Sequence, residues 1–317
     1  MKRVGILTRD GGGINACIRA ITRTAIAKGL QPVGIFRGYD GLIDNDLITF
    51  DRRSVSNIIG LGGTILKTSR AVRFKTEEGQ RKAVETIKNN NLDGIIVVGG
   101  NGSLTGAHVL ASQYGIQTIG VPATIDNDIN GIDDTIGADT AVNVALDAVD
   151  KIRDTATSLE RIFVVEVMGR DCGYIALQVA IAGGCEDVIL PERDYDIHAI
   201  CEEIAWGNCQ GKLSWIIVVA EGKAKAAEVA KKITEITGLE TRELVLGHIQ
   251  RGGSPTAKDR ILGARLGKAA IDCYINGKTD VCVGLKNGVI ITVPLEIATQ
   301  PKQWDVEEQY KLLKTLT

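Results

Sequence analysis

Short β-branched runs alternate with more polar stretches along the chain, and each run has the length of one buried strand. The pattern predicts strands at 4–8 (VGILT), 33–36 (VGIF), 94–99 (GIIVVG), 118–122 (TIGVP) and 161–169 (RIFVVEVMG). Further strands are predicted at 187–191 (DVILP), 215–222 (WIIVVAEG), 244–248 (LVLGH) and 288–294 (GVIITVP). Between them, apolar residues recur at helical spacing. Residues 15–29 read as a helix capped by Asn15 and stopped at Gly29, and residues 224–238 as one stopped at Gly238. Ser254 as cap and Pro255 at the first helical position open another. The stretch 139–158 reads as a long helix that hinges two sheets. The alternation predicts an α/β protein with mostly parallel sheets and helices on both faces. In such folds ligands sit beyond the C-terminal ends of strands.

The chain has 317 residues, room for two domains, and 44% are hydrophobic, enough for substantial cores. Thirty-seven glycines fit many tight strand-to-helix turns. A net charge of −2 argues against a broad basic face for nucleic acid, while leaving room for a local pocket for a small anion. The cysteines are Cys17, Cys172, Cys185, Cys201, Cys209, Cys273 and Cys282. Their odd number and the lack of a C-x-x-C pair point to reduced thiols rather than zinc or a disulfide framework. The N-terminus enters a strand without a signal-like apolar segment, and no apolar run approaches the roughly 18 residues of a membrane span. A cytoplasmic location is expected, with no membrane partner. The sequon Asn101-Gly102-Ser103 is read as chance.

Chemistry gathers at the predicted strand ends. TRDGGGINA (8–16) places three glycines before a helix start, where backbone amides can face an anion; an ordinary tight turn is the alternative. GGNGSLTGA (99–107) repeats this logic after another strand. PATIDNDINGIDDTIG (122–137) carries Asp126 and Asp128 directly after a strand. Asp126, Asp128, Asn130 and Gly131 fit the start of a calcium loop. The twelfth position, however, is Gly137 rather than a bidentate Glu, and a strand precedes it. A solvated acidic turn and a catalytic carboxylate beside Thr124 both remain open. VVEVMGRDCGYIA (164–176) puts Arg170 just past a strand, a forked and permanently charged donor set suited to phosphate. ETRELVLGHIQRGGSP (240–255) brings Arg242, His248 and Arg251 around one strand, and Glu221 ends another, where it can bind sugar hydroxyls.

TIDND (124–128), VVEVMGR (164–170), AIAGGCE (180–186) and LGHIQRGGSP (246–255), in this order and spacing, resemble bacterial ATP-dependent 6-phosphofructokinases, the phosphofructokinase A family, across the chain. The resemblance implies two interleaved three-layer α/β/α domains with mostly parallel sheets in a homotetramer. Residues 1–138 plus about 252–301 would bind nucleotide, and residues 139–251 plus about 302–317 would bind fructose 6-phosphate. It implies a glycolytic kinase that moves the terminal phosphoryl group of ATP to the 1-hydroxyl of fructose 6-phosphate, with Mg2+. By the matching motifs, Asp126 would be the base, with Thr124, Asp128 and Arg170 also catalytic. Thr124, Ile125 and Asp126 would face the sugar, as would Met168, Gly169, Arg170 and Glu221. Arg161, Arg242, His248 and Arg251 would hold the 6-phosphate, with Ile249 and Gln250 alongside; the equivalents of Arg161 and Arg242 come from a neighbouring subunit. The nucleotide would lie over Gly100, Asn101, Gly102 and Ser103, near Gly11, Tyr39, Arg70 and Ala71. An interface site for ADP or phosphoenolpyruvate would use Arg19, Arg23, Arg52 and Arg153, with Gly184, Cys185, Glu186, Gln210 and Lys212.

The departures cluster on the donor side. TRDGGGIN is shorter than the family's first loop. Asn101 replaces the Asp that organises Mg2+, so Asp10 or Asp128 would have to compensate. Ala123 stands where ATP users carry Gly, and Gly102 where pyrophosphate users carry Asp; the chain thus lacks the pyrophosphate pattern. Lys67 and Ala71 depart from the bacterial ATP pattern, and Gln210 replaces a lysine. Alternative readings are therefore a weakly active regulatory paralogue that binds sugar phosphate, or a pyrophosphate-dependent enzyme.

Overall fold

The computed structural model describes residues 1–317 apart from Thr157 and Leu159. In chain order it runs β1 (Arg3–Thr8), α1 (Ile14–Ala27), β2 (Gln31–Ile35), α2 (Tyr39–Asp44), β3 (Leu47–Thr49), α3 (Glu77–Asn89), β4 (Leu92–Gly99), α4 (Asn101–Tyr114) and β5 (Thr118–Pro122). Next come α5 (Ala138–Leu159), β6 (Ile162–Val167), α6 (Tyr174–Ala182), β7 (Asp187–Ile189), α7 (Ile197–Cys209), β8 (Trp215–Ala220), α8 (Ala226–Thr237) and β9 (Thr241–Val245). The rest is α9 (Ala257–Ile275), β10 (Val281–Lys286), β11 (Val289–Pro294), α10 (Leu295–Ala298) and α11 (Glu307–Leu316).

The chain folds as two compact units. The first comprises Met1–Thr140 and Arg251–Lys302, the second Ala141–Gln250 and Gln303–Thr317. The first unit holds a seven-stranded sheet in the order β11-β10-β5-β4-β1-β2-β3. Its central strands are parallel, and only the edges, β10–β11 and β2–β3, pair antiparallel. β4 reads LDGIIVVG and is buried at every position except Asp93, as a strand covered on both faces must be. One face packs on α1 and α9 through Ile14, Ile18, Ile21, Leu262 and Leu266. The other packs on residues of α2, α3 and α4, among them Leu42, Val84, Ile87, Leu104 and Leu110. The second unit holds a parallel sheet ordered β7-β8-β6-β9, with Ile200, Ile204, Val229 and Ile233 packed against one face.

Several sequence-based boundaries move. Gly13, not Asn15, is the residue before α1. Asn15 is buried and ties α1 to the loop beneath it: its amide donates to Leu61 O and Gly62 O, each at 3.1 Å, and its carbonyl accepts Ile65 N–H at 2.9 Å. Helix α9 is capped by Thr256, whose hydroxyl accepts Asp259 N–H, while Ser254 donates to Gly60 O at 2.8 Å. Strand β9 lies upstream of the predicted 244–248, because Gly247, at φ 52°, turns the chain into a 3-10 turn over Gly247–Arg251. Among the described residues, no helix is long and apolar enough to cross a membrane.

Candidate active site

The seven-stranded sheet changes direction at β1. Strand β2 lies on one side of it and the later β4 on the other. Ligands of open α/β sheets bind at such a reversal, beyond the strand ends. Here the reversal is bordered by loop 9–13 after β1 and by Gly100–Ser103 after β4. Neither α1 nor α4 has a side-chain cap bond, and neither has an acidic residue in its first turn. Each therefore presents its first amides and its positive dipole end without an internal anion. Two such ends beside adjacent strands suit a chain of phosphates.

The loop after β1 is held closely. Gly13 sits at φ 88°, and a Cβ there would come 2.9 Å from Ile136 Cγ2 and 3.1 Å from Asp259. Asp259 is buried and accepts Gly137 N–H at 2.9 Å and Thr140 N–H at 2.8 Å, which fixes the wall behind the loop. Arg9 donates to the Ser69 carbonyl, and Thr8 shares a 2.8 Å hydroxyl bond with Thr64. The segment before Arg70 and Ala71 is thereby fastened to β1. Lys67 and Ala71 both take left-handed backbone, at φ 58° and 47°. Tyr39 does not form an open wall. Its ring is buried and stacked on Phe74 at 4.0 Å, and its hydroxyl donates to Ser103 O at 2.7 Å, supporting the α4 turn from beneath.

The third strand end carries the carboxylates. Ala123 N–H donates to Gly99 O at 3.0 Å, tying the exit of β5 to the β4 turn. Thr124 Oγ1 accepts Asp126 N–H at 3.2 Å, and Thr135 Oγ1 donates to Thr124 O at 2.6 Å. Asp126 is 4% exposed. Asn101 Nδ2 donates to Asp128 Oδ2 at 2.7 Å, while Asn101 Oδ1 is buried without a hydrogen-bond partner. One carboxylate and one orphaned carboxamide oxygen face the same turn. Hard oxygen donors of this kind fit Mg2+. The calcium-loop reading fails on geometry, because the Asn130 side chain donates to Ile297 O at 3.3 Å instead of turning toward Asp128. Among the described residues, no three His, Cys, Asp or Glu side chains form a metal cluster.

In the second unit, Met168, Gly169 and Arg170 follow β6, and Glu221 follows its neighbour β8. Glu221 Oε1 accepts Arg170 N–H at 3.2 Å, joining the two strand ends. Gly169, at φ 144°, allows this turn, since a Cβ there would meet Cys172 O at 2.3 Å. His248 and Ile249 are exposed on the 3-10 turn after β9. Gln250 is fully buried and is a brace: it accepts Met168 N–H at 3.2 Å and donates to Gly247 O at 3.1 Å. Arg251 is half-buried at the end of the same turn. Arg161 and Arg242 meet on Glu240, with Arg161 Nε 2.9 Å from Glu240 Oε2. Burial opposes the charge on Glu240, yet the two arginines hold its carboxyl below the ordinary glutamate value. This pair sits at the start of β6 and β9, the opposite end of the strands from Arg170 and His248. One chain does not bring the four proposed phosphate ligands together.

The expected effector residues fall into two groups. In the second unit, Glu186 is buried, accepts Ile216 N–H at 2.7 Å, and lies 3.3 Å from Lys212 Nζ and 3.8 Å from Arg153. Arg153 donates to Gly183 O and Gly184 O, each at 2.7 Å. Burial pushes the neighbouring Cys185 thiol up to about 12. Gln210 is exposed and closes α7. Arg19, Arg23 and Arg52 belong to the first unit. Sequence reasoning missed Arg9, Asn127, Glu240, Asp259 and Lys302; Arg9, Asn127 and Glu240 lie within the motifs quoted above, while Asp259 and Lys302 lie outside them.

A family model described as phosphofructokinase matches residues 3–274. The chain is 48% identical over 319 aligned positions to the ATP-dependent 6-phosphofructokinase of Clostridium botulinum (strain Hall), covering 100% of both chains. The same values hold for the ATP-dependent 6-phosphofructokinase of Clostridium acetobutylicum. Among solved structures, phosphofructokinase from Saccharomyces cerevisiae superposes with a TM-score of 0.87 at 31% identity. That match covers 99% of this chain and 46% of the yeast chain, so this chain spans less than half of its length. The match runs through both sheets and through every strand end described above, and this chain belongs to the phosphofructokinase family.

Proposed function

We propose that the chain is an ATP-dependent 6-phosphofructokinase that converts fructose 6-phosphate to fructose 1,6-bisphosphate. The observation that carries this reading is the crevice at β1 and β4, where two uncapped helix starts lie beside the buried Asp126. The first unit binds the nucleotide through Gly11, Arg70 and Gly100–Ser103, and the second binds the sugar phosphate. The curated relatives act with ATP, which makes ATP the donor here. A cytoplasmic homotetramer, regulated by ADP or phosphoenolpyruvate near Glu186, completes the reading.

Asp126 takes the proton of the 1-hydroxyl as that oxygen forms its bond to the terminal phosphorus. The bond from that phosphorus to the bridging oxygen breaks, and ADP leaves with the electron pair. Thr124 fixes the backbone of Asp126, and Arg170 balances charge on the transferring group. Met168, Gly169 and Glu221 orient the sugar, while His248 and Arg251 meet the 6-phosphate together with Arg161 and Arg242 of a second copy. Mg2+, when bound, neutralises charge on the donor phosphates. Asp128 and Asn101 Oδ1 are the groups that would hold it.

The test is product formation from fructose 6-phosphate with magnesium-ATP and, separately, magnesium-pyrophosphate. Turnover with ATP is expected, and Asp126→Ser should lower it by about 10²–10⁴-fold while sugar-phosphate binding survives. Turnover only with pyrophosphate would overturn the donor assignment. No turnover with either donor, with fructose 6-phosphate still raising the thermal midpoint, would instead mean a regulatory paralogue.

A further inference from the structure

The turn that carries both carboxylates is stapled from a distant part of the chain. Asn127 lies between Asp126 and Asp128, is buried, and takes left-handed backbone at φ 51°. Asparagine tolerates this conformation better than most residues, but something must hold the peptide there. Its own side chain spans the turn, with Nδ2 donating to Asp133 O at 2.9 Å. Lys302 closes the same turn: its ammonium donates to Asn127 O at 2.9 Å and to Ile132 O at 2.8 Å. The chain around it runs along the turn, with Ile129 bridging Pro301 antiparallel and Asn130 N–H donating to Ala298 O at 3.2 Å.

An ammonium is a compact charge with three donors, and here two of them bind carbonyls five residues apart along the turn. One of those carbonyls belongs to the peptide that separates the two carboxylates. Moving Asn127 O therefore moves Asp126 and Asp128 together. Lys302 is also the last residue of the first unit, after which the chain enters the second.

We propose that Lys302 is a positioning residue for phosphoryl transfer, holding the Asp126–Asp128 turn in its reactive geometry from the segment where the chain leaves the first unit. The inference rests on the reading of Asp126 as the base. Lys302 donates to backbone oxygens of that turn, so its removal would let the turn shift and misalign the carboxylates that it carries. A displacement of about 1 Å at a reacting group costs on the order of a hundredfold in rate.

The experiment measures kcat and both KM values for Lys302→Met, Lys302→Gln, Lys302→Arg and Asp126→Ser. Lys302→Met is expected to lower kcat by about ten- to a hundredfold with both KM values within about twofold of the parent. Lys302→Gln, which keeps a donor without charge and serves if the Met variant does not fold, should fall between. Lys302→Arg, which keeps the charge and two donors, should recover most of kcat. A kcat within about twofold of the parent for Met or Gln overturns the proposal, as does a loss that appears only in KM. Full turnover by Asp126→Ser would instead sink the base assignment, whatever the Lys302 variants do.

Discussion

Replacing Asn101 with Asp probes the most unusual contact in the candidate site. Asn101 Nδ2 now donates to Asp128 Oδ2 at 2.7 Å. In Asn101→Asp a second carboxylate oxygen takes the place of that donor. Two full charges at this separation repel by about 6 kcal/mol at an effective dielectric of about 20, and the charge-assisted bond, about 1.5–3 kcal/mol, is lost as well. Both side chains are half-exposed, so the pair relaxes by spreading apart or sharing a proton. Sharing a proton means that one carboxyl is raised above its ordinary value by its like-charged neighbour. A raised folded-state value favours the protonated form. The metal-free variant should therefore match its parent at low pH and lose stability as pH rises through the raised value. Mg2+ should restore that stability, because a divalent ion removes the repulsion.

The assay is thermal unfolding across pH 5 to 8 with and without Mg2+, paired with turnover at limiting Mg2+. The variant should show a midpoint that falls with pH only without the metal, and higher activity than its parent when Mg2+ is scarce. A midpoint equal to the parent's at every pH, together with an unchanged Mg2+ dependence, would refute both the contact and the placement of the metal beside it.

Two further outcomes follow from buried and charged pairs in the second unit. Gln250→Leu leaves Met168 N–H and Gly247 O without their partners, a loss of about 2–4 kcal/mol measurable by urea unfolding; a change below about 0.5 kcal/mol would mean that Gln250 braces nothing. Glu240 has a lowered carboxyl, so its contribution is present above the ordinary glutamate value and is lost as pH falls through the lowered one. The acid limb of Glu240→Gln should accordingly be shallower than the parent's, and an unchanged acid limb would contradict the pairing with Arg161 and Arg242.

The strands and the glycine-rich turns at their ends were legible because parallel sheets write continuous apolar runs into sequence and place their glycines just after them. The runs at 94–99 and 118–122 match β4 and β5 within a few residues. The edge strand β3 was missed, since Leu47–Thr49 is too short and too exposed to show a period, and β10, which lies between β11 and β5, was missed as well. The helix caps at Asn15 and Ser254 were misassigned for a different reason. Both residues have the right chemistry, but tertiary partners at Leu61, Gly62, Ile65 and Gly60 claim their polar atoms. Asp126 and Asp128 stood out as carboxylates after a strand. Lys302, which pins them, could not, because 170 or more residues separate it from the carbonyls it binds.

The arginines around the second unit's sheet fall at its two opposite ends. Strand β6 spans six residues, about 20 Å at strand rise, with Arg161 before its start and Arg170 past its end. Arg242 sits beside Arg161, held there by the shared Glu240, while His248 lies beyond β9 at the far end with Arg170. No side chain is long enough to close that gap, and parallel strands cannot bring opposite ends together. On the function proposed above, a 6-phosphate bound by both pairs would lie where the strand-start end of one chain meets the strand-finish end of a second copy. Glu240 then has a clear physical part. It neutralises and orients the half-buried Arg161 and the exposed Arg242, and on the proposed reading a dianionic phosphate would compete with it for both.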